Sequence, residues 1–273
     1  MTQPQVAILD LYQGHPNEGM RCIKSLVSQF FDAPTPYQVF DVRGAGEVPK
    51  LTDFQIVIST GGPGSPLFTG EAWETTYRTY LQSVWEHNQT SEVKIYVFLI
   101  CHSFQLAVQH WNLGTVCRRK STSFGVMPIH MTSEGLEESV FHHLEDPFWA
   151  VDSRDFQVIQ PNEKAFDSLG ASLLGLEKER PHVPLERAIM AIRFSPEIIG
   201  TQFHPEADAE GMRRYFLQEE KRQAVIQEHG QEKYEDMIDH LEDPDKIYHT
   251  ERTILPQFLS LATQTTPQHG TKR

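Results

Sequence analysis

The chain has 273 residues, enough for one large domain or one domain plus an extension; 39% are hydrophobic and 22% charged, so it can bury a core and is not disordered by composition. A formal net charge of −13 argues against a nucleic-acid partner held by bulk electrostatics. Three cysteines, Cys22, Cys101 and Cys117, with no Cys-x-x-Cys pair, point away from a structural zinc site or redox dithiol and towards reduced thiols in a cytoplasmic setting.

Residues 1–5 run into a strand without a basic and apolar leader, so no secretory signal is expected. No apolar stretch reaches the roughly 18 residues of a membrane span, so no membrane partner is expected either. Val6 to Leu11 reads as a first strand. Pro16 suits a helix start, and Ile23, Leu26, Val27 and Phe30 recur at helical spacing. Tyr37 to Val42 and Phe54 to Thr60 are the next strands, and Trp73, Tyr77, Tyr80, Leu81 and Val84 mark a second amphipathic helix. Lys94 to Ile100 is a buried strand that stops at Cys101. A helix from Ser103 to Asn112 follows, closed by Gly114. This alternation predicts an α/β fold with a mixed, mostly parallel central sheet flanked by helices.

After Gly114 antiparallel strands take over: Phe124 to Met131, Phe156 to Gln160, Ala188 to Phe194 and Ile198 to Phe203, the last two joined by a hairpin turn at residues 193–197. Arg118-Arg119-Lys120 reads as a solvated loop. From residue 207 the chain is highly charged and patterned for helices. Met212, Tyr215 and Phe216 share one face, and Tyr234, Met237, Ile238 and Leu241 another. Asp243-Pro244-Asp245 then breaks the run, Ile254, Leu255, Phe258 and Leu259 restart it, and the last ten residues read as a frayed tail. The expected division is residues 1–206 as the main domain and 207–273 as a helical C-terminal extension packed on or next to it.

Three local signals carry chemistry. The run Ser59 to Pro66 follows a strand, and its glycines Gly61, Gly62 and Gly64 let the backbone approach a ligand; it lacks the ending of a triphosphate-binding P-loop. Cys101 stands at a sharp strand-to-helix turn, the place of a nucleophile, with Gln105 one helical turn on. Gly200 to Glu206 ends a strand with His204 and Glu206 two apart, a base and its orienting carboxylate.

Together these residues resemble the class I, triad-type glutamine amidotransferase family, with a flavodoxin-like fold, and most resemble the amidotransferase domain of GMP synthetase. Gly61 to Pro66 match the family's oxyanion loop, Cys101 and Gln105 its elbow, and His204-Pro205-Glu206 its closing motif. Ser123 to Ile129 resembles the strands after the elbow in the GMP synthetase branch. The resemblance implies a catalytic triad of Cys101, His204 and Glu206. It also implies oxyanion donors at Gly62 and His102, and substrate contacts at Gly61, Gly64 and Gln105. The implied chemistry is glutamine hydrolysis through a γ-glutamyl thioester. No synthetase motif follows, so the resemblance implies either that ammonia passes to an unknown acceptor on a separate synthetase subunit or that the protein is a stand-alone hydrolase. No motif requires a metal or a cofactor, and His142-His143 lacks a ligand set nearby.

The chain departs from the pattern at three places. Leu99 and Ser103 replace the two elbow glycines, and His102 is an unusual residue after the nucleophile. The stretch Trp149 to Arg154 lacks the histidine of a Ser-His pair found in the GMP synthetase branch. Two other readings therefore stay open: a γ-glutamyl peptidase or hydrolase, and a degenerate domain kept for binding or regulation.

Overall fold

The computed structural model describes residues 5–264 except 182, 220–221, 224–225, 228–229 and 244–245. One nine-stranded sheet organises them. Its parallel part places β2 (Tyr37–Asp41), β1 (Val6–Asp10), β3 (Ile56–Ser59), β4 (Tyr96–Ile100) and β9 (Ile198–Thr201) side by side. Its antiparallel part continues through β8 (Ile189–Ser195), β7 (Ser172–Glu177), β5 (Thr115–Met131) and β6 (Phe148–Ile159). The expected mixed sheet is present, and the hairpin at residues 193–197 joins β8 to β9.

Period-2 alternation decides which helix covers which face. Val6 and Ile8 of β1, Ile56 and Ile58 of β3, and Phe98 and Ile100 of β4 face one core. That core is covered by α1 (Glu18–Phe30) through Met20, Ile23, Leu26 and Val27. The same face receives α9 (Ile247–Gln264) through Ile254, Leu255, Phe258 and Leu259. Each such fully buried side chain contributes about 2 kcal/mol of apolar burial. The intervening residues, Ala7, Leu9, Val57, Val97 and Leu99, face a second core covered by α3 (Ala72–Thr90) and α4 (His102–His110).

Several boundaries differ from expectation. α1 begins after Asn17, not at Pro16, because Asn17 Oδ1 accepts from the Met20 N–H at 2.8 Å. α4 stops at His110, where the Trp111 N–H caps it, so Gly114 does not close the helix. Gly114 instead meets β6 closely: a Cβ there would lie 3.0 Å from the Ile159 carbonyl. β5 starts at Thr115, well before Phe124, and its register against β6 shifts between Arg118 and Ser123. Arg118-Arg119-Lys120 therefore lies on a strand rather than a loop. Arg118 and Lys120 are exposed, whereas the Arg119 guanidinium is buried, donating to Gln157 Oε1 at 2.9 Å and Glu177 Oε2 at 3.1 Å. The strand β7 and the short helices α2 (Val42–Ala45), α5 (Ser133–Leu136) and α6 (Glu163–Leu169) were not expected.

α7 (Ala209–Phe216) and α8 (Gln231–Glu242) follow β9. Tyr234 and Leu241 pack with Val126, Val151, Ala207 and Ile247 in a third cluster, joined by Met212 and Ile238. The side chains of Tyr215, Phe216 and Met237, the residues Pro244 and Asp245, and the tail from 265 lie outside the described residues. Among the described residues no helix is long and apolar enough to cross a membrane.

Candidate active site

The carboxyl ends of β1, β3, β4 and β9 are neighbours in the sheet, so the loops that leave them meet at one edge, where open α/β sheets form their sites. Cys101 leaves β4 and opens α4 at φ 50° and ψ −97°, a left-handed backbone that costs a non-glycine residue about 1–3 kcal/mol. Neighbours hold that turn. The Cys101 N–H donates to the Thr201 carbonyl at 2.7 Å. Ser103, in place of an elbow glycine, accepts from the Ile100 N–H at 2.7 Å. Its hydroxyl reaches the Ser59 carbonyl at 2.9 Å, tying the elbow to the end of β3. Leu99, in place of the other glycine, is fully buried opposite Gly200 of β9.

His204 is placed by its own N–H, which donates to the Val151 carbonyl of β6 at 2.8 Å. Its Nδ1 lies 2.8 Å from Glu206 Oε1, and the ring lines the same cavity as Cys101. Burial pulls the His204 pKa down, but Glu206 and Cys101 outweigh it and hold the ring well above its ordinary value. Glu206 is itself buried, against the first turn of α1: a Cβ on Gly19 would stand 3.1 Å from its Oε1. The positive end of that helix favours a carboxylate.

The glycine loop closes the other side. A Cβ on Gly61 would fall 3.1 Å from His204 Cε1 and 3.0 Å from the Tyr12 hydroxyl; on Gly62 it would fall 2.9 Å from the Leu11 carbonyl. Gly64 adopts φ +83°. A side chain at Gly62 would collide with backbone, one at Gly61 would have to push Tyr12 and His204 aside, and the φ at Gly64 favours glycine. Gly62 and His102 line the same cavity as Cys101, and the His102 N–H is in the first turn of α4, where no intrahelical acceptor exists.

A cavity of about 450 Å³ is lined by Cys101, His204, Glu206, Gly62, Gly64 and His102, and also by Gln105. Gly61 stands behind it, with its Cβ position 3.6 Å from Cys101 Cβ. The volume suits a small molecule. The residues expected from three distant stretches of sequence thus converge on one place.

Gln105 is buried and donates to Gln202 Oε1 at 2.9 Å, and Gln202 Nε2 in turn lies 3.7 Å from Cys101 Sγ. Sequence reasoning assigned no role to Gln202, Tyr12 or Gly19. The only signal was position: Tyr12 follows β1 at the same sheet edge, Gly19 opens the helix after it, and Gln202 follows β9 two residues before His204. Where the histidine of the Ser-His pair is missing, Arg154 lies at the cavity lining, its guanidinium paired with Asp152 at 2.9 Å and Glu177 at 3.2 Å. Among the described residues no group of His, Cys, Asp and Glu is placed to hold a metal ion.

A family model described as glutamine amidotransferase class-I matches residues 17–224. No curated protein matches the sequence. Among solved structures, a glutamine amidotransferase from Methylobacillus flagellatus is 14% identical, with a TM-score of 0.70 over 100% of this chain and 99% of that one. A glutamine amidotransferase from Thermotoga maritima is 15% identical, with a TM-score of 0.65 over 97% and 100%. A candidate GMP synthase component from Thermoplasma acidophilum is 14% identical, with a TM-score of 0.57 over 97% and 96%. At such identities these likenesses establish the fold.

Proposed function

The chain belongs to the class I glutamine amidotransferase family, and from that premise we propose that it hydrolyses the side-chain amide of glutamine through a γ-glutamyl thioester on Cys101. The observation that carries this reading is the His204–Glu206 pair, 2.8 Å apart, facing the same cavity as Cys101.

His204 takes the thiol proton, and the Cys101 sulfur attacks the amide carbon. The oxyanion forms beside the Gly62 and His102 N–H groups, each such donor typically worth about 3 kcal/mol in the transition state. His204 then delivers its proton to the leaving ammonia. Water, deprotonated by the same ring, releases glutamate and frees the thiol. Glu206 keeps His204 oriented and its charge compensated. Gln105 and the glycine loop, with Gly61 and Gly64, hold the substrate. In this reading residues 1–206 form the amidotransferase unit and 207–273 its helical extension, whose Met212 reaches the cavity wall. Ammonia passes to an acceptor bound by a separate synthetase subunit.

A second reading, a γ-glutamyl peptidase or hydrolase, uses the same Cys101, His204 and Glu206 on a substrate with the same α-amino and α-carboxylate groups, and differs only in the amine that leaves.

The deciding experiment measures ammonia and glutamate release from L-glutamine by the wild type beside Cys101→Ala, with γ-glutamyl amides as parallel substrates. Release from glutamine that vanishes in the variant supports the first reading. Release from γ-glutamyl amides alone supports the second. Equal release by Cys101→Ala removes Cys101 from the mechanism.

A further inference from the structure

The oxyanion loop is gripped from two sides by residues that no family motif specifies. From the second helix, an Arg43 Nη donates to the Pro63 carbonyl, while its guanidinium stacks on the Trp73 ring at 5.3 Å. Its other terminal nitrogen lies against the next residue, 3.5 Å from the Cβ position of Gly64. From the elbow, the buried His102 ring packs against the Gly62 backbone, 3.5 Å from the Cβ position of Gly62.

Each gripping residue has one buried polar atom left over. Arg43 Nε has no acceptor and His102 Nε2 has no donor among the described residues. Because Nε2 is the nitrogen left over, the Gly62 contact is made through Nδ1. Burial and the nearby Arg43 charge push the His102 pKa down to about 4, so the ring is neutral at neutral pH. A neutral ring that donates from Nδ1 presents a lone pair at Nε2. The leftovers are therefore complementary, a donor and an acceptor.

We propose that Arg43 and His102 are coupled positioning residues that clamp the Gly62–Gly64 loop and so keep the Gly62 N–H aimed at the developing oxyanion. The proposal rests on the glutaminase reading of the site. Preorganised donors accelerate only while they cannot swing away, so loosening them lowers turnover without weakening ground-state binding.

The test uses Arg43→Met, Arg43→Lys, His102→Leu and the double variant Arg43→Met/His102→Leu in the full chain. Three readouts are taken: glutamine kcat and KM, the rate of Cys101 alkylation by iodoacetamide, and hydrogen exchange at the Gly62 and Gly64 amides. Alkylation forms no oxyanion, so it serves as the control for the thiol itself. The expected result is a fall in kcat of roughly ten- to a hundred-fold in Arg43→Met and in His102→Leu, with KM within about two-fold. Alkylation should stay within about two-fold and loop exchange should quicken. The double variant should lose less than the product of the single losses. Arg43 is half-exposed, so its variants report even if His102→Leu fails to fold; Arg43→Lys keeps the charge and should fall between wild type and Arg43→Met. Unchanged kcat and unchanged loop exchange in the Arg43 variants overturn the clamp, as does alkylation falling in step with kcat. A wild type that releases no ammonia points instead to failure of the glutaminase reading; the exchange measurement then decides the clamp by itself.

Discussion

Leu99 fills the space that Gly200, its partner across the β4–β9 ladder, leaves open: a Cβ on Gly200 would lie 3.0 Å from Leu99 Cβ and 3.0 Å from Phe104 Cδ2. The room that Leu99 needs two residues before Cys101 is thus provided by a glycine on the neighbouring strand. Gly200→Ala should therefore destabilise the fold by about 1–3 kcal/mol through overpacking. Leu99→Ala should cost about 2–5 kcal/mol through a cavity. Urea unfolding of both singles and the double checks the relationship: the double should lose clearly less than the sum, and strict additivity would falsify it.

Gly19 offers a separation of stability from activity. Alanine in the first turn of α1 normally favours a helix, by about 1 kcal/mol relative to glycine. Here its methyl group would press on Glu206 Oε1 at 3.1 Å. Gly19→Ala should leave the thermal midpoint unchanged or raised while glutamine turnover drops. A variant with full turnover would mean that Glu206 tolerates displacement.

Replacing Glu206 with glutamine keeps a hydrogen-bonding side chain but removes the charge that raises the His204 pKa. The His204 pKa should fall, so the alkaline limb of the rate profile should move to lower pH, because the imidazolium that protonates ammonia is lost sooner. Turnover should fall by on the order of 10²–10⁴. A kcat profile from pH 6 to 10 for Glu206→Gln beside the wild type reads both effects; an unmoved alkaline limb would assign that limb to another group.

Acid should weaken the fold through two histidines. Burial, with Arg43 and Arg78 respectively, lowers the pKa values of His102 and His110 to about 4. The unfolded chain takes up these protons near pH 6.5 while the folded chain refuses them until about pH 4, so stability is lost as pH falls through that window. His204 works in the opposite sense: its raised folded pKa adds stability below pH 6.5 that disappears as pH climbs through the folded value. Thermal midpoints from pH 7 to 4.5 should decline less steeply in His110→Gln than in the wild type. Parallel declines would mean that His110 takes no part.

The parallel half of the fold and the three motifs were readable because they rest on short-range grammar. Strands such as Tyr96–Ile100 are continuous apolar runs, and Gly61, Cys101 and His204 each fall just past a strand end. The first half of β5 was hidden because its polar residues are paired by partners far along the chain. Arg119 is buried only because Glu177 of β7 comes to meet it, and no local pattern announces that contact. Leu99 and Ser103 looked like losses for the same reason, since their compensations lie at Gly200 and at the Ser59 carbonyl. The Gln105–Gln202 pairing likewise joins two elements distant in sequence.

The packing of α9 bears on how the protein is made. Phe258 meets Phe98 with ring centroids 5.2 Å apart, and the Thr250 hydroxyl donates to the carbonyl of Trp149, on the same strand whose Val151 carbonyl holds His204. During synthesis every strand of the sheet leaves the ribosome before this helix does. Until residues 247–264 emerge, the face built from Ile58, Phe98 and Ile199 is covered by α1 alone and leaves part of its apolar surface open to chaperones. The nascent chain thus carries Cys101, His204 and Glu206 before the helix that completes this core, so the finished site waits on the synthesis of residues 247–264.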